Sequence, residues 1–339
     1  EIGVRLVGSE MCIRDRYILE GIEYKRKEYM KCRKITIGST LGIMCPSSRQ
    51  TNEKQVELFL KYLSNNGFKY KLGQSMYAKC GYLAGSDTLR AEDFNHFIQD
   101  DEIDAILCFK GGYGASRFLH LIDYEQIKKH PKLIVGFSDV TVLLNAIYQK
   151  TGLPTLHGEM GVVFKESFLN EKEFSFTNLV DTLLGIASKN LLECENNAIF
   201  QGKDSVEGEI VGGNLSLVVA LMGTPYEIDT KGKILLLEDV GERPYRIDSF
   251  LSTLKLSGKL DDAKGIIFGY FTDCEKSDED TQSVEDVLND YTKDLKKTII
   301  YHFPTGHSRP FVNVPIGLRV RINPTDKSVI VLESLFFDK

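Results

Sequence analysis

The sequence predicts an α/β protein in two units: a parallel sheet flanked by helices, then a mixed α+β unit. Three observations carry this. The chain has 339 residues, more than one compact core usually serves. Its first half alternates short β-branched runs with helix-length periods, the pattern of βαβ units. Between Lys165 and Asp204 the chain turns polar and irregular, as a crossing between units does.

From Lys34 the run ITIGSTLGIMCP reads as the first strand, followed by helices near Asn52–Asn65 and Ala91–Asp100. Strands follow at Ala105–Phe109, Leu133–Phe137 and Pro154–Leu156, with a helical pattern opening at Asp139. The irregular stretch holds one helix, near Phe176–Ile186. Beyond it come a strand at Gly208–Val211, a helix from Gly213, strands at Ile234–Leu237 and Gly265–Phe268, and a hairpin-like pair near Leu318–Leu332. The expected division is an N-terminal unit over 30–165, a linker over 166–204 and a C-terminal unit over 205–339. Residues 1–29 are read as a non-native or untranslated extension. Leu6–Arg16 back-translates to an adapter-like sequence, and Met30 reads as the natural start.

Charged residues at 27% and a net charge of -6, with no basic stripe, argue against a nucleic-acid partner. No apolar run approaches the roughly 20 residues of a membrane span. Seven cysteines without CxxC pairs speak for a reducing cytoplasm and against a disulfide framework. The histidines form no spaced metal pair, so neither metal nor cofactor is expected.

In open parallel sheets, ligands sit beyond the carboxyl ends of strands, so the residues following each strand matter most. After Leu133–Phe137 stands Ser138, in a strand, serine, helix order that can raise its hydroxyl above the sheet. Val140 replaces the second glycine of a nucleophile elbow, and on local pattern alone Ser138 reads more readily as a helix N-cap than as a nucleophile. In Phe109-Lys-Gly-Gly-Tyr-Gly, the amides freed by Gly111, Gly112 and Gly114 can bind an anion, or merely permit a turn. Lys233-Ile-Leu-Leu-Leu-Glu238-Asp239 ends a strand in two carboxylates, of which alternation lets only one face a given site. Glu238 could orient an imidazole or pair with Arg243 or Arg246. His157 and His307 stand in positions where either could act as a base, while His96, His120 and His130 read as solvent-facing.

Taken in order, GGYGASR at Gly111, GFSDVT at Gly136, HGEM at His157, GGNLSLVVALMGTP at Gly212, LLLEDVGERPYRID at Leu235, and GH then PIG at Gly306 and Pro315 resemble the LD-carboxypeptidase family of serine peptidases. The resemblance runs from about Lys34 to Leu332. It implies a flavodoxin- or Rossmann-like N-terminal unit, a barrel-like C-terminal unit and an active site in the cleft between them. It further implies Ser138 as nucleophile, Glu238 and His307 as its activating pair, and backbone oxyanion donors at Gly112 and Asp139. Tyr113, Arg117, Arg243 and Arg246 are candidates for substrate binding, the arginines for a free carboxylate. The implied substrate is a muropeptide tetrapeptide losing its terminal D-alanine, and a homodimer is implied. Lys110 stands where the family usually has arginine, and Glu159 where proline commonly follows the His-Gly pair. Two other readings compete: a microcin-immunity peptidase acting on peptidyl- or aminoacyl-nucleotides, and a non-catalytic protein binding an anion or peptide.

Overall fold

The computed structural model describes residues 30–169, 173–276 and 281–337. The extension expected over 1–29 lies outside the described residues. Five parallel strands build the first sheet: β1 (Thr40–Met44), β2 (Lys69–Leu72), β3 (Ala105–Cys108), β4 (Leu133–Gly136) and β5 (Thr155–His157). They lie in the order 2-1-3-4-5, the doubly wound arrangement whose strand order reverses between β1 and β3. Every residue of β3 and β4 is buried, which explains why AILC and LIVG are unbroken apolar runs and not alternating ones. β2, KYKL, is an exposed edge strand with no such run, and sequence reading passed over it.

Helices α1 (Glu53–Asn65), α2 (Asp87–Gln99), α3 (Tyr124–Lys129) and α4 (Thr141–Thr151) cover the sheet. α1 starts where the Asn52 side chain accepts the Gln55 N–H, and it buries Val56, Phe59, Leu60 and Leu63 at helical spacing. α2 begins four residues before the expected Ala91, because the Ser86 side chain caps it by accepting the Leu89 N–H.

α5 (Phe174–Leu184), in the irregular stretch, packs Phe176, Leu179, Val180 and Leu183 into the first core. The second sheet comprises β6 (Ile199–Gln201), β7 (Val206–Asn214), β8 (Ile234–Val240), β9 (Gly265–Thr272) and β10 (Thr298–Tyr301). β11 (Val314–Ile316) instead returns to the first sheet, pairing antiparallel with β5 through Val314 and His157. β12 (Arg319–Asn323) and β13 (Ser328–Val331) form the expected antiparallel hairpin on the other edge of the second sheet. Its seven strands curl into a half barrel, with β7 to β10 parallel at its centre. Around it lie α6 (Leu215–Ala220), α7 (Pro244–Leu256), α8 (Lys259–Asp262) and α9 (Val284–Thr292). No helix among the described residues is long and apolar enough to cross a membrane.

Candidate active site

β4 delivers the chain into a turn at Ser138, whose φ of +60° is a conformation few non-glycine residues hold. A Cβ on Gly136 would stand 2.8 Å from Val140 Cγ1. The glycine before the serine therefore makes the room that Val140 fills, and the missing second glycine is no obstacle to the turn. Ser138 does not cap a helix: neither the short 3-10 turn Ser138–Val140 nor α4 has a side-chain cap bond. The helix-cap reading loses its physical basis, and the strained backbone calls for another account.

The glycine loop lies directly against this turn. A Cβ on Gly111 would come within 3.2 Å of Ser138 Cβ and 3.4 Å of the Asp139 amide nitrogen. Gly112 holds φ +105° with Ser48 Oγ 2.4 Å from where its Cβ would be, so only glycine fits. Asp139 fastens loop to turn, its buried carboxylate accepting the Ala115 N–H at 2.8 Å. Burial pushes that carboxyl up, and the Ala115 amide and the Arg90 charge pull it only part of the way back. Ser48 Oγ accepts the Tyr113 N–H, leaving the Tyr113 ring half exposed and tilted against Tyr82 at 5.7 Å. Among the described residues the N–H groups of Gly112 and Asp139 are not spent on protein acceptors.

The activating residues come from the second sheet. At the end of β8 the two carboxylates diverge, as alternation requires. Glu238 Oε2 meets His307 Nδ1 at 2.8 Å, while Asp239 accepts Asn214 Nδ2 at 3.0 Å and the Ser216 N–H at 2.9 Å. Burial pushes the Asp239 carboxyl up to about 6. Glu238 is fully buried, and Gly269 and Gly306 leave its space: added Cβ atoms would stand 3.0 Å from Glu238 Cβ and 2.9 Å from its Oε2. Burial draws the His307 pKa down, but the hydrogen bond and charge of Glu238, with Asp239 and Glu159, outweigh it, and the net shift is upward. The His307 ring packs on Phe137, the residue before Ser138, with centroids 4.9 Å apart.

His157 is placed differently. It is wholly buried in β5, stacked on Phe311 at 5.6 Å, and neither ring nitrogen has a partner among the described residues. Burial lowers its pKa to about 4, which leaves a neutral packing ring and not a base near neutral pH. Of the arginine candidates, Arg117 grips Asp87 at 2.9 Å and Arg246 faces Glu242 at 3.6 Å while lying over Phe250. Arg243 is exposed at the start of α7. Among the described residues Glu238 meets His307 and is paired with neither Arg243 nor Arg246.

Sequence reading missed the group that joins the histidine loop to the first unit. Arg309 Nη1 lies 3.0 Å from both Glu159 Oε2 and Glu173 Oε1. Ser175 Oγ accepts the Phe311 N–H at 3.0 Å, and Asn178 Oδ1 accepts that of Asn313 at 3.1 Å. One signal was present: Glu159, a carboxylate in the apolar stretch HGEMGVV, needs a cation if it is buried. Among the described residues no group of His, Cys, Asp or Glu is arranged to hold a metal ion.

The sequence and the fold both match known proteins. Residues 41–158 match the profile of the LD-carboxypeptidase N-terminal domain, and residues 207–322 that of its C-terminal domain. The chain is 37% identical over 325 residues to a probable murein peptide carboxypeptidase of Bacillus subtilis, covering 91% of this chain and 95% of the relative. It is 31% identical to a murein tetrapeptide carboxypeptidase of Pseudomonas aeruginosa, over 80% of this chain and 89% of the relative. The fold superposes on the microcin C7 self-immunity protein MccF, solved in complex with aspartyl sulfamoyl adenosine, with a TM-score of 0.81 at 23% identity over 91% of this chain and all of that one.

Proposed function

The chain belongs to the LD-carboxypeptidase family and is a hydrolase of the carboxypeptidase type; from that premise we propose that it removes the terminal D-alanine of muropeptide tetrapeptides, cutting after an L-centre diamino acid, with Ser138 as nucleophile. The observation that carries this reading is the pair of buried Glu238 and half-buried His307, its imidazole packed on the residue that precedes a serine held at φ +60°. Nδ1 of His307 is engaged by Glu238, so Nε2 is the nitrogen left to serve the hydroxyl.

In this mechanism Ser138 Oγ attacks the carbonyl carbon of the diamino acid and passes its proton to His307 Nε2. The tetrahedral oxyanion lies between the N–H groups of Gly112 and Asp139. Such donors are each worth about 3–4 kcal/mol of transition-state stabilisation. Collapse breaks the C–N bond as His307 protonates the leaving amine of D-alanine, and water then releases the acyl group by the same route in reverse. Glu238 holds the imidazole tautomer and stabilises the imidazolium. Among the described residues His307 makes its side-chain hydrogen bond to Glu238 and not to Ser138, and the Ser–His bond is expected to tighten when substrate binds. Tyr113, Arg117, Arg243 and Arg246 remain the candidates for the substrate, with Arg117 held on Asp87 and Arg246 facing Glu242.

A second reading, a peptidase acting on aminoacyl-nucleotides, is favoured by the fold shared with MccF, whose complex holds an aspartyl sulfamoyl adenosine. The murein peptide names of the more similar relatives favour the first. The family likeness also supports a homodimer, and cysteines without CxxC pairs support a cytoplasmic place of action. Mass spectrometry of the protein with lysine-type and diaminopimelate-type tetrapeptides, beside Ser138→Ala, tests the reading. Loss of one D-alanine is expected only with Ser138 present. Cleavage by Ser138→Ala at the full rate would overturn the assignment, and no cleavage of either peptide would move it to the nucleotide conjugates.

A further inference from the structure

Ser138 follows β4 of the first sheet, whereas Glu238 rides on β8 of the second and His307 on the loop that follows β10. A nucleophile and its base must be held within about 0.5 Å of their productive geometry, so something has to fix the histidine loop on the other unit. We infer that Arg309 is a positioning residue for His307: by bridging Glu159 and Glu173 it clamps the histidine loop onto the unit that carries the nucleophile. The inference rests on the reading of Ser138 and His307 given above.

Three features support the clamp. Arg309 stands two residues after His307, and both of its carboxylate partners belong to chain that packs on the first core. Its guanidinium also lies over the rings of Phe168 and Phe176, at 5.0 and 5.3 Å, so it is fixed on its face as well as at its nitrogens. Glu159 has a side chain only 2% exposed, and Glu173 already caps α5, so neither partner is free to follow the loop if it moves. Glu159 also reaches the catalytic pair electrostatically. The charged groups that face it are Arg309, Glu173 and His307, and its charge is among those that raise the His307 pKa. The clamp therefore acts on the orientation of the base and on its proton affinity.

The test compares Arg309→Met, Arg309→Lys, Glu173→Gln and Glu159→Gln with the unaltered protein. The readouts are tetrapeptide turnover, the rate at which a fluorophosphonate labels Ser138, and the titration of the His307 ring by NMR. Arg309→Met is expected to lower kcat and the labelling rate by about 100-fold with KM nearly unchanged, the usual loss for a base displaced by about 1 Å. Arg309→Lys should recover about tenfold of that by restoring one ion pair. Glu159→Gln should move the His307 titration to lower pH, which a purely structural role would not do. Should Arg309→Met not fold, Arg309→Lys and Glu173→Gln are expected to show intermediate losses. Rates within threefold of the unaltered protein in folded Arg309→Met, or in both milder variants, would overturn the clamp, as would an unmoved His307 titration in Glu159→Gln. Labelling that survives Ser138→Ala counts against the hydrolase mechanism instead, and the NMR titration then decides the clamp alone.

Discussion

Gly306 leaves the room that Glu238 fills, and Gly306→Ala probes it. Gly306 has φ +114°, and a methyl group there would stand 2.9 Å from Glu238 Oε2, 3.2 Å from its Cβ and 3.3 Å from its Cγ. The atom it strikes is the one that holds His307 Nδ1. Glu238 has no comfortable retreat, because it is fully buried and its Oε1 already lacks a partner among the described residues. Backbone strain at such a φ costs about 1–3 kcal/mol. Loss of a hydrogen bond to a charged group adds about 1.5–3 kcal/mol. Gly258→Ala supplies the control, since its φ is +77° and nothing lies within 4 Å of the added carbon. It carries backbone strain without the collision. Turnover and fluorophosphonate labelling of Ser138 should fall by about 100-fold or more in Gly306→Ala and stay near the unaltered rate in Gly258→Ala. If Gly306→Ala folded and worked within threefold of the unaltered protein, Glu238 would not be orienting the base, and the mechanism built on that pair would fail.

Two further outcomes follow from the charges around the site. In Glu238→Gln, kcat should fall by roughly 10³–10⁴. The acidic limb of kcat/KM should also move to lower pH, because the charge that most raises the His307 pKa is gone and the base loses its proton more readily; an unmoved limb in a pH–rate series would refute it. Glu159 should make stability fall with rising pH. Burial raises its carboxyl from 4.5 to about 7, so the folded state holds the proton over a window in which the unfolded state has released it. The stabilisation is whole below pH 4.5, declines through the window and is lost above 7, a change of about 3 kcal/mol. Urea midpoints at pH 5 and pH 8 should differ by more in the unaltered protein than in Glu159→Gln; equal differences would refute the shift.

Much of the fold was legible because its signals are local. AILC and LIVG declare buried parallel strands by being apolar throughout, and the Asn52 cap with its helical apolar spacing declares α1. KYKL did not declare β2, since an edge strand borrows its pairing from β1 and needs no apolar run of its own. The same holds for β11: three residues, VPI, join the first sheet only because the chain has come back from the second to lie beside His157.

At the site, the sequence by itself marked Ser138 after a strand, glycines after another and carboxylates after a third, since each follows a strand end that a parallel sheet leaves open to ligand. Local pattern could not choose between serine as nucleophile and serine as cap, between Glu238 and Asp239, or between His157 and His307; the family resemblance alone named Ser138, Glu238 and His307. Tertiary structure decided the geometry behind those choices. It holds Ser138 at φ +60° without a cap bond, sends Glu238 to His307 and Asp239 to Asn214, and buries His157 against Phe311 with no hydrogen-bond partner among the described residues. Arg309 with Glu159 and Glu173 was invisible for the same reason, because an ion pair joining residues more than a hundred positions apart leaves no periodicity or spacing in the chain. Strand and helix patterns come from neighbours in sequence, whereas proton affinity and reach are set by whatever packing brings near.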